Sequence, residues 1–522
     1  MAQEMDIERD GYVDWKGKKV TAAKQRGVVG ATIVCLVEVL ENMVFISNAS
    51  NLVTYFHSFM HYSLVRSANL LTNYMGTSFL LSLFGGFVSD TFFTRFSTVI
   101  LFGLIELTGL VMLTIQAHYE RLRPVQGKGP SSSQATMLYA GLYAMAIGVG
   151  GVKASLPAHG ADQLDHSNQR LVSTFFNWFF FCLCCGGMLA VTIVVWVQDN
   201  VGWKWGFGIS AIALSLGLTI FGAGLPLYRH KTPVGSPITR IVKVLVYSVK
   251  NRKASPPEVN VNFLGGKSKS RFRFLDKALV RDGISESEVE ETRTFLCLLP
   301  IFASTIMMNC CLAQLMTFSV QQGLAMDRTL SGGWKIPPAS LIAIPLVVML
   351  IAVPLYDRVI LVLVRKFLHK EAAVQPLTRV GIGLILASAS MAAAAVVEAK
   401  RRGAAQESVE LSVLWLGWQY LLLGVSDMFT LAGMLEFFYT EAPHSMRSVC
   451  TALSWCSTAM GYFLSSLLVT IANAASGRFG KHRWLGEENL NESRLELFYT
   501  LLAVLNLLNF FNYMYWVKWY RG

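Results

Sequence analysis

The chain has 522 residues, of which 53% are hydrophobic and only 15% are charged, and its formal net charge is +12. Soluble domains carry about 25% charged residues, so this composition argues against a soluble enzyme or regulator. The charges cluster between long apolar runs, and no zinc-finger spacing or basic DNA-reading helix accompanies them, which argues against a nucleic-acid partner. We therefore expect an all-α polytopic membrane protein whose surroundings are the lipid bilayer.

Twelve apolar runs, each long enough to cross a bilayer, follow one another along the chain. The predicted spans are 28–56, 68–91, 96–117, 135–157, 172–197, 205–227, 294–322, 338–364, 377–398, 411–437, 446–474 and 494–517. Basic residues are concentrated before the first span, and an even number of spans returns the C-terminus to the same side. Both termini are therefore expected in the cytosol.

A long basic stretch separates the sixth span from the seventh and divides the chain. The predicted organisation is a cytosolic tail (1–27), a six-helix bundle (28–227), a cytosolic basic linker (228–293), a second six-helix bundle (294–517) and a cytosolic tail (518–522). Two bundles around a cavity near the bilayer midplane are the architecture of many secondary transporters. At the end of the linker, Ser285 followed by acidic residues predicts the start of a helix.

The first span carries two carboxylates, Glu38 and Glu41. Ionisable groups inside a membrane are costly, so each one is a functional candidate. Their spacing places both on one face of the helix, where two carboxylates in a low dielectric do not both ionise easily. One of them is therefore expected to hold a proton, as proton coupling requires. A water-lined pair without a role in transport is the alternative.

The fourth span carries Lys153 shortly after Gly148, Gly150 and Gly151. A lysine at this depth needs an anion, which we expect to be a carboxylate of the first span or the acidic group of a substrate. A purely structural ion pair is the alternative. The glycines allow a neighbouring helix to approach closely. They do not form a nucleotide-binding loop, because no strand precedes them and no Gly-Lys-Ser/Thr follows.

Further carboxylates lie in later spans. In the tenth span, Asp427 and Glu436 are nine residues apart and are expected to face opposite sides of the helix. Asp427 is deeper and is the better cavity candidate, whereas Glu436 fits a gate or a structural salt bridge. Glu106 in the third span and Glu398 in the ninth have weaker cases. Glu398 precedes a basic cluster at 400–402, which falls on the outer side in this topology, and is expected at the membrane interface.

Nine cysteines lie in or near apolar spans. Convergent His or carboxylate side chains are missing around them in the sequence, so we interpret them as packing residues rather than metal ligands. No nucleophile motif, Walker sequence or ATP-binding domain is visible. The sequence therefore predicts neither an enzyme nor an ATP-driven pump, and it predicts no cofactor and no metal.

Several motifs together resemble a known family. They are Gly150-Gly-Val-Lys153, Gly160-Ala-Asp-Gln163, Phe175-Phe-Asn-Trp178, Pro354-Leu-Tyr-Asp-Arg358 and Glu436-Phe-Phe-Tyr439. They are similar to the plant nitrate/peptide transporter family, in the proton-coupled oligopeptide transporter group of the major facilitator superfamily. The resemblance covers nearly the whole chain. It implies the major facilitator superfamily fold, with twelve transmembrane helices in two six-helix bundles.

The resemblance also implies roles for individual residues. Proton coupling is expected from Glu38, Glu41 and Lys153. Substrate binding is expected from Lys153, Asn177, Trp178, Leu312, Gln314, Tyr420 and Asp427. Gate or structural roles are expected from Asp90, Arg95, Arg358 and Glu436. Two departures stand out: Asn42 replaces the family's usual basic residue, and Leu312 replaces a His of the nitrate-transporting relative, which argues against nitrate bound in that mode.

The stretch Val39–Asn51 is similar to the subfamily associated with import of abscisic acid and gibberellin. Those hormones are bulky apolar carboxylic acids, and an apolar cavity with one lysine suits them. The expected function is proton-coupled hormone import at the plasma membrane. A carrier of nitrate, another small anion or peptides, and a non-transporting receptor or scaffold, are the alternatives. Thr91 and Thr94 are candidate sites for a kinase, with simple helix capping as the alternative.

Overall fold

The structure of the chain, a computed structural model, describes residues 12–18, 27–62, 64–125, 129–165, 168–232, 235–253, 272–280, 284–329, 341, 343–360, 375–479, 484–485, 491 and 493–521. Helices dominate these residues. The described part also contains a two-stranded antiparallel sheet, formed by β1 (Tyr12–Val13) and β2 (His230–Lys231). Tyr12 lies opposite Lys231. We call the end of the molecule that carries this sheet the sheet end.

The helices follow the predicted spans closely. In the first half they are α1 (Gly27–Thr54), α2 (Leu64–Thr91), α3 (Arg95–His118), α4 (Ser132–Asp162), α5 (Gln169–Leu189) and α6 (Trp203–Ala223). Tyr55–Phe59 extends α1, and Ala190–Val194 and Val195–Asn200 extend α5. The linker contains α7 (Pro237–Lys250) and a 3-10 helix, Arg273–Val280.

The second half repeats this organisation. Its helices are α8 (Glu286–Leu312), α9 (Ala343–Leu355), α10 (Pro376–Gln406), α11 (Gly417–Thr440), α12 (Arg447–Phe479) and α13 (Leu495–Arg521). Ala313–Met316 and Phe318–Leu324 continue beyond α8, Tyr356–Ile360 extends α9, and Val413–Leu416 precedes α11. Among the described residues, ten helices are long and apolar enough to cross a membrane. The predicted eighth span, 338–364, lies partly outside those residues.

Local sequence signals explain where several helices begin. Ser131 caps α4 and Ser285 caps α8, and each forms a capping box with the residue three positions later, Gln134 or Glu288. This confirms the predicted helix start at Ser285. Pro376 occupies the first turn of α10, where its missing N–H costs no helical hydrogen bond.

Glycines bring α4 very close to its neighbours. A Cβ atom on Gly148 would lie 2.4 Å from the Cβ of Glu106, and one on Gly151 would lie 2.0 Å from the Phe102 ring. Larger residues at these positions would push α3 away from α4. The close approach predicted from the glycine pattern is therefore present, and it buries the segment of α4 that carries Lys153.

Each half packs mainly within itself. In the first half, α3 and α2 pack on α4, and α5 packs on α1; in the second, α11 and α13 pack on α10. The halves meet where α2 and α4 contact α12 and where α5 contacts α9 and α11. The bundle boundaries 28–227 and 294–517 remain a prediction.

Glu398 is fully buried in the protein, where it accepts two hydrogen bonds from Arg401, at 2.9 and 2.7 Å. Its expected position at the membrane interface remains a prediction. Arg402 pairs with Glu496 at 2.6 Å. Intramolecular partners therefore compensate much of the positive charge of the cluster at 400–402, a relation that the count of basic residues does not reveal.

Candidate functional site at the centre of the first half

Lys153 is the centre of a buried hydrogen-bond cluster between α1 and α4. Its Nζ donates to Glu38 Oε1 at 3.0 Å, to Glu41 Oε2 at 2.5 Å and to Asn42 Oδ1 at 3.0 Å. All four side chains are at most 3% exposed. An ammonium group has three donors, so these three acceptors satisfy it completely. The structure brings together the three residues that the sequence assigns to proton coupling.

Asn42 stands where the family's usual motif has a basic residue, and it has a defined role in the packing. It accepts from Lys153, and its Nδ2 donates to the Leu183 carbonyl at 2.7 Å, which ties α1 to α5. Since Asn42 is neutral, one ammonium faces two carboxylates. With both carboxylates ionised the cluster has a net charge of −1 in a buried site, so one added proton makes it neutral.

Aromatic rings form a wall beside the ammonium group. Lys153 Nζ lies 5.6 Å from the Phe45 ring and 5.3 Å from the Trp455 ring, within the range of cation–π attraction. Phe79 stacks on Trp455 with ring centroids 5.8 Å apart. Trp455 belongs to α12, so this wall joins the two halves. Nothing in the sequence singles out Trp455, because one tryptophan among the polar residues of that span carries no pattern of its own.

Asp427 lies in the other half, on α11, where it is half-buried. Glu436, on the same helix, is 1% exposed and accepts from Ser173 of α5 at 3.0 Å. Glu436 therefore faces α5. The expected placement of Asp427 and Glu436 on opposite sides of the helix remains a prediction.

A second polar network, around Glu436, joins the two halves. Arg379 of α10 donates to Glu436 at 2.8 Å and to Asn177 Oδ1 of α5 at 2.6 Å. Asn177 Nδ2 donates in turn to Asp357 at 3.3 Å. Asn177, which the resemblance assigns to the substrate, thus belongs to a contact between halves in this structure. Nothing in the sequence singles out Arg379, since an arginine near the end of a span is typical of the membrane interface.

A third network lies at the sheet end. Arg95 forms ion pairs with Asp90, at 3.3 Å, and with Asp162. Arg95 Nε also donates to Ser448 at 2.7 Å, and Asp90 accepts from the Val449 backbone N–H at 3.0 Å. Ser448 and Val449 begin α12, so these bonds join the first half to the second. This geometry fits the gate or structural role expected for Asp90 and Arg95.

The N-terminal strand takes part in the same network. Tyr12 donates to Asp162 Oδ1 at 3.0 Å, and Tyr439 of α11 donates to that oxygen at 2.6 Å. Arg447 Nη1 lies 3.7 Å from it. Lys231, the sheet partner of Tyr12, has no hydrogen-bond partner for its Nζ among the described residues. Burial, with Arg95 nearby, lowers the pKa of Lys231 to about 7.

The other predicted residues have partners elsewhere. Gln314 donates to Ser465 and to the Cys310 carbonyl, both at 2.9 Å, and Tyr420 accepts from Ser319 at 2.8 Å. These contacts lie within the second half. The guanidinium of Arg358 lies 5.7 Å from the Trp178 ring. Leu312 is half-buried against the apolar core.

Of the two candidate kinase sites, Thr94 caps α3 and accepts from the Ser97 N–H at 3.2 Å. Thr91 is half-buried at the end of α2. Modification of either residue remains a prediction.

Comparisons with known proteins agree with this architecture. The family model described as PTR2, POT family, matches residues 96–485. Protein NRT1/ PTR FAMILY 4.2 of Arabidopsis thaliana is 51% identical over 99% of this chain and 100% of its own length. Protein NRT1/ PTR FAMILY 4.1 of the same plant is 52% identical, with the same coverage. The crystal structure of the POT family transporter PepTSo has a TM-score of 0.67 at 18% identity, over 94% of this chain and 98% of that one.

Proposed function

Since the chain belongs to the POT family of membrane transporters, we propose that it imports plant hormone carboxylates, gibberellin or abscisic acid, together with protons. The observation that carries the proposal is the buried cluster in which one lysine pairs with two carboxylates. We place the protein in the plasma membrane, with both termini and the sheet end in the cytosol. The basic residues before the first span support that orientation.

Protons act through the charge balance of this cluster. When both Glu38 and Glu41 are ionised, they hold Lys153 and leave no positive charge for a substrate. A proton on one carboxylate turns an ion pair into a weaker neutral contact, so Lys153 gains the capacity to bind the substrate carboxylate. Asn42 remains as a neutral acceptor and keeps the ammonium in place. Proton and anion binding therefore favour each other, as import driven by a proton gradient requires.

The surroundings of Lys153 favour a substrate with a large apolar body. Phe45 and Trp455, one from each half of the molecule, present rings beside the ammonium, and Phe79 stacks on Trp455. Leu312 offers no hydrogen-bond donor in place of the His of the nitrate-transporting relative. These features suit a bulky carboxylic acid better than a small, strongly hydrated anion. Asp427 would line the second half of the cavity.

Alternating access requires the halves to rock about the site and the polar networks between them to open and close. The contacts of Arg95 and Arg379 join the halves at and near the sheet end. Release into the cytosol requires these bonds to break. The structure therefore corresponds to a state that is closed toward the proposed cytosolic side.

The experiment is uptake of labelled gibberellin, abscisic acid, nitrate and a dipeptide at two external pH values, in oocytes or yeast. We expect hormone uptake that rises as the external pH falls and that stops when the proton gradient is collapsed. Cells without the protein supply the baseline. If the cells took up nitrate or dipeptide but no hormone, the proposed substrate class would be wrong. A protein that reaches the surface and carries none of the four would favour the receptor or scaffold alternative.

A further inference from the structure

Glu106 is a fully buried carboxylic acid that belongs to none of the three polar networks described above. It lies in the middle of α3 and is 0% exposed. Neither Oε1 nor Oε2 has a hydrogen-bond partner within the described part of the chain. An isolated ionised carboxylate is very costly to bury, and such a group takes up a proton instead. Glu398 is equally buried but is bound by Arg401, whereas Glu106 forms no ion pair among the described residues.

The position of Glu106 links it to the Lys153 cluster. Gly148 of α4 packs directly on its backbone, five residues before Lys153 on the same helix. Lys153, in turn, binds Glu38 and Glu41 of α1. A rise of 1.5 Å per residue separates the levels of Gly148 and Lys153 by about 7 Å along α4.

The remaining neighbours of Glu106 add one titratable group. Tyr74 of α2 is buried, and its ring is 6.5 Å from that of Phe45 beside Lys153. On α6, which also packs on α3, the only titratable residue is Lys204, exposed in the first turn. The acids of α2 and α4, Asp90 and Asp162, are already paired with Arg95 at the sheet end, which leaves those of the Lys153 cluster.

We infer that Glu106 is a third proton-holding carboxylate, which exchanges its proton with Glu41. In this exchange the O–H bond of Glu106 breaks and one forms on Glu41, so the negative charge moves from Glu41 to Glu106. The total charge is unchanged, but one anion fewer lies against Lys153. Glu38 still accepts from its ammonium group, and the donor released by Glu41 can bind a substrate carboxylate. This inference rests on the proposed proton-coupled function.

The first test needs no substrate. Infrared spectra of the purified protein in lipid membranes report the C=O stretch of protonated carboxylic acids. Glu106→Gln should remove one such band at neutral pH, and Glu106→Asp should restore a band at a shifted frequency. Glu398→Gln is the matched control, since that carboxylate is equally buried but paired with Arg401. An unchanged spectrum in Glu106→Gln would overturn the inference.

The second test is accumulation of labelled gibberellin in proteoliposomes under a gradient of one pH unit. Because the proton from Glu106 releases a donor of Lys153 for the substrate, Glu106→Gln should lower the initial rate of this accumulation at least about tenfold. Gibberellin exchange at equal pH should continue, and Glu106→Asp should recover most of the rate. If gibberellin accumulation by Glu106→Gln depended on pH as it does in the wild type, the inference would be wrong. If the wild type does not carry gibberellin, the proposed substrate fails, and the infrared result alone decides whether Glu106 holds a proton.

Discussion

Two buried charge clusters differ in composition and in the parts they connect. The Lys153 cluster lies within the first half and sets one cation against an excess of carboxylates. The cluster of Asp90, Arg95, Asp162 and Arg447 balances two cations with two anions and reaches across the halves. An unbalanced site gains by taking up a proton, whereas a balanced one does not. The comparison indicates that the first cluster responds to protons and the second holds the halves together.

The largest effect is expected from removing the cation of the unbalanced cluster. Lys153→Ala leaves two buried carboxylates without their partner, and breaking a buried pair in this way costs about 3–5 kcal/mol. Uptake should fall at least about a hundredfold, with little loss of protein at the cell surface. The measurement is the initial uptake rate divided by the amount of biotinylated surface protein. Lys204→Ala, at an exposed lysine, is the control. If Lys153→Ala took up substrate as fast as the wild type, Lys153 would have no part in the mechanism.

A medium effect is expected at the balanced cluster. Tyr439→Phe removes the hydrogen bond to Asp162, and bonds to charged groups contribute about 1.5–3 kcal/mol. The equilibrium should shift about tenfold or more toward the state that is open at the sheet end. Spin labels at the exposed positions Phe92 and Lys518, one on each half, measure this shift as a longer distance.

Tyr499→Phe is the matched control for that variant. Tyr499 is also buried, but its hydroxyl has no hydrogen-bond partner among the described residues. It should leave the distance unchanged. The pH dependence of uptake should be the same in Tyr439→Phe as in the wild type, because the balanced cluster does not supply the protons. A changed pH profile would contradict the division of roles between the two clusters.

The smallest effect concerns the N-terminal strand. Burial lowers the pKa of Lys231 from 10.5 to about 7, so the docked sheet favours the neutral amine. Docking should become more stable as the pH rises from about 7 toward 10.5 and should not depend on this group below about 7. Burial also lowers the pKa of His230, so its protonation weakens docking in acid.

Hydrogen exchange of the amides of Tyr12–Val13 and His230–Lys231, corrected for intrinsic rates, measures this docking. Lys231→Met should abolish the dependence above neutral pH. Stronger docking on acidification would contradict the assignment. Loss of the strand should change uptake less than Tyr439→Phe does, because Tyr12 is only one of the donors to Asp162.

The sequence predicted the acidic and basic members of the central cluster but not its complete surroundings. Glu38, Glu41 and Lys153 stood out because charge is rare in apolar spans. Glu106 stood out for the same reason, yet nothing in its local sequence distinguished an unpaired acid from a paired one such as Glu398. Arg379 and Trp455 escaped notice, since neither residue is unusual where it lies in the chain.

By itself the sequence determined the positions of the helices and the identity of the costly charges, because span length, helix capping and the expense of burying a charge are local properties. Only the tertiary structure decided which charges are paired. The partners of Arg379 and Tyr12, and the lack of one for Glu106 among the described residues, depend on which helix faces meet. The partners come from segments dozens to hundreds of residues away. Pairing, in turn, separates a site that takes up protons from one that joins the two halves.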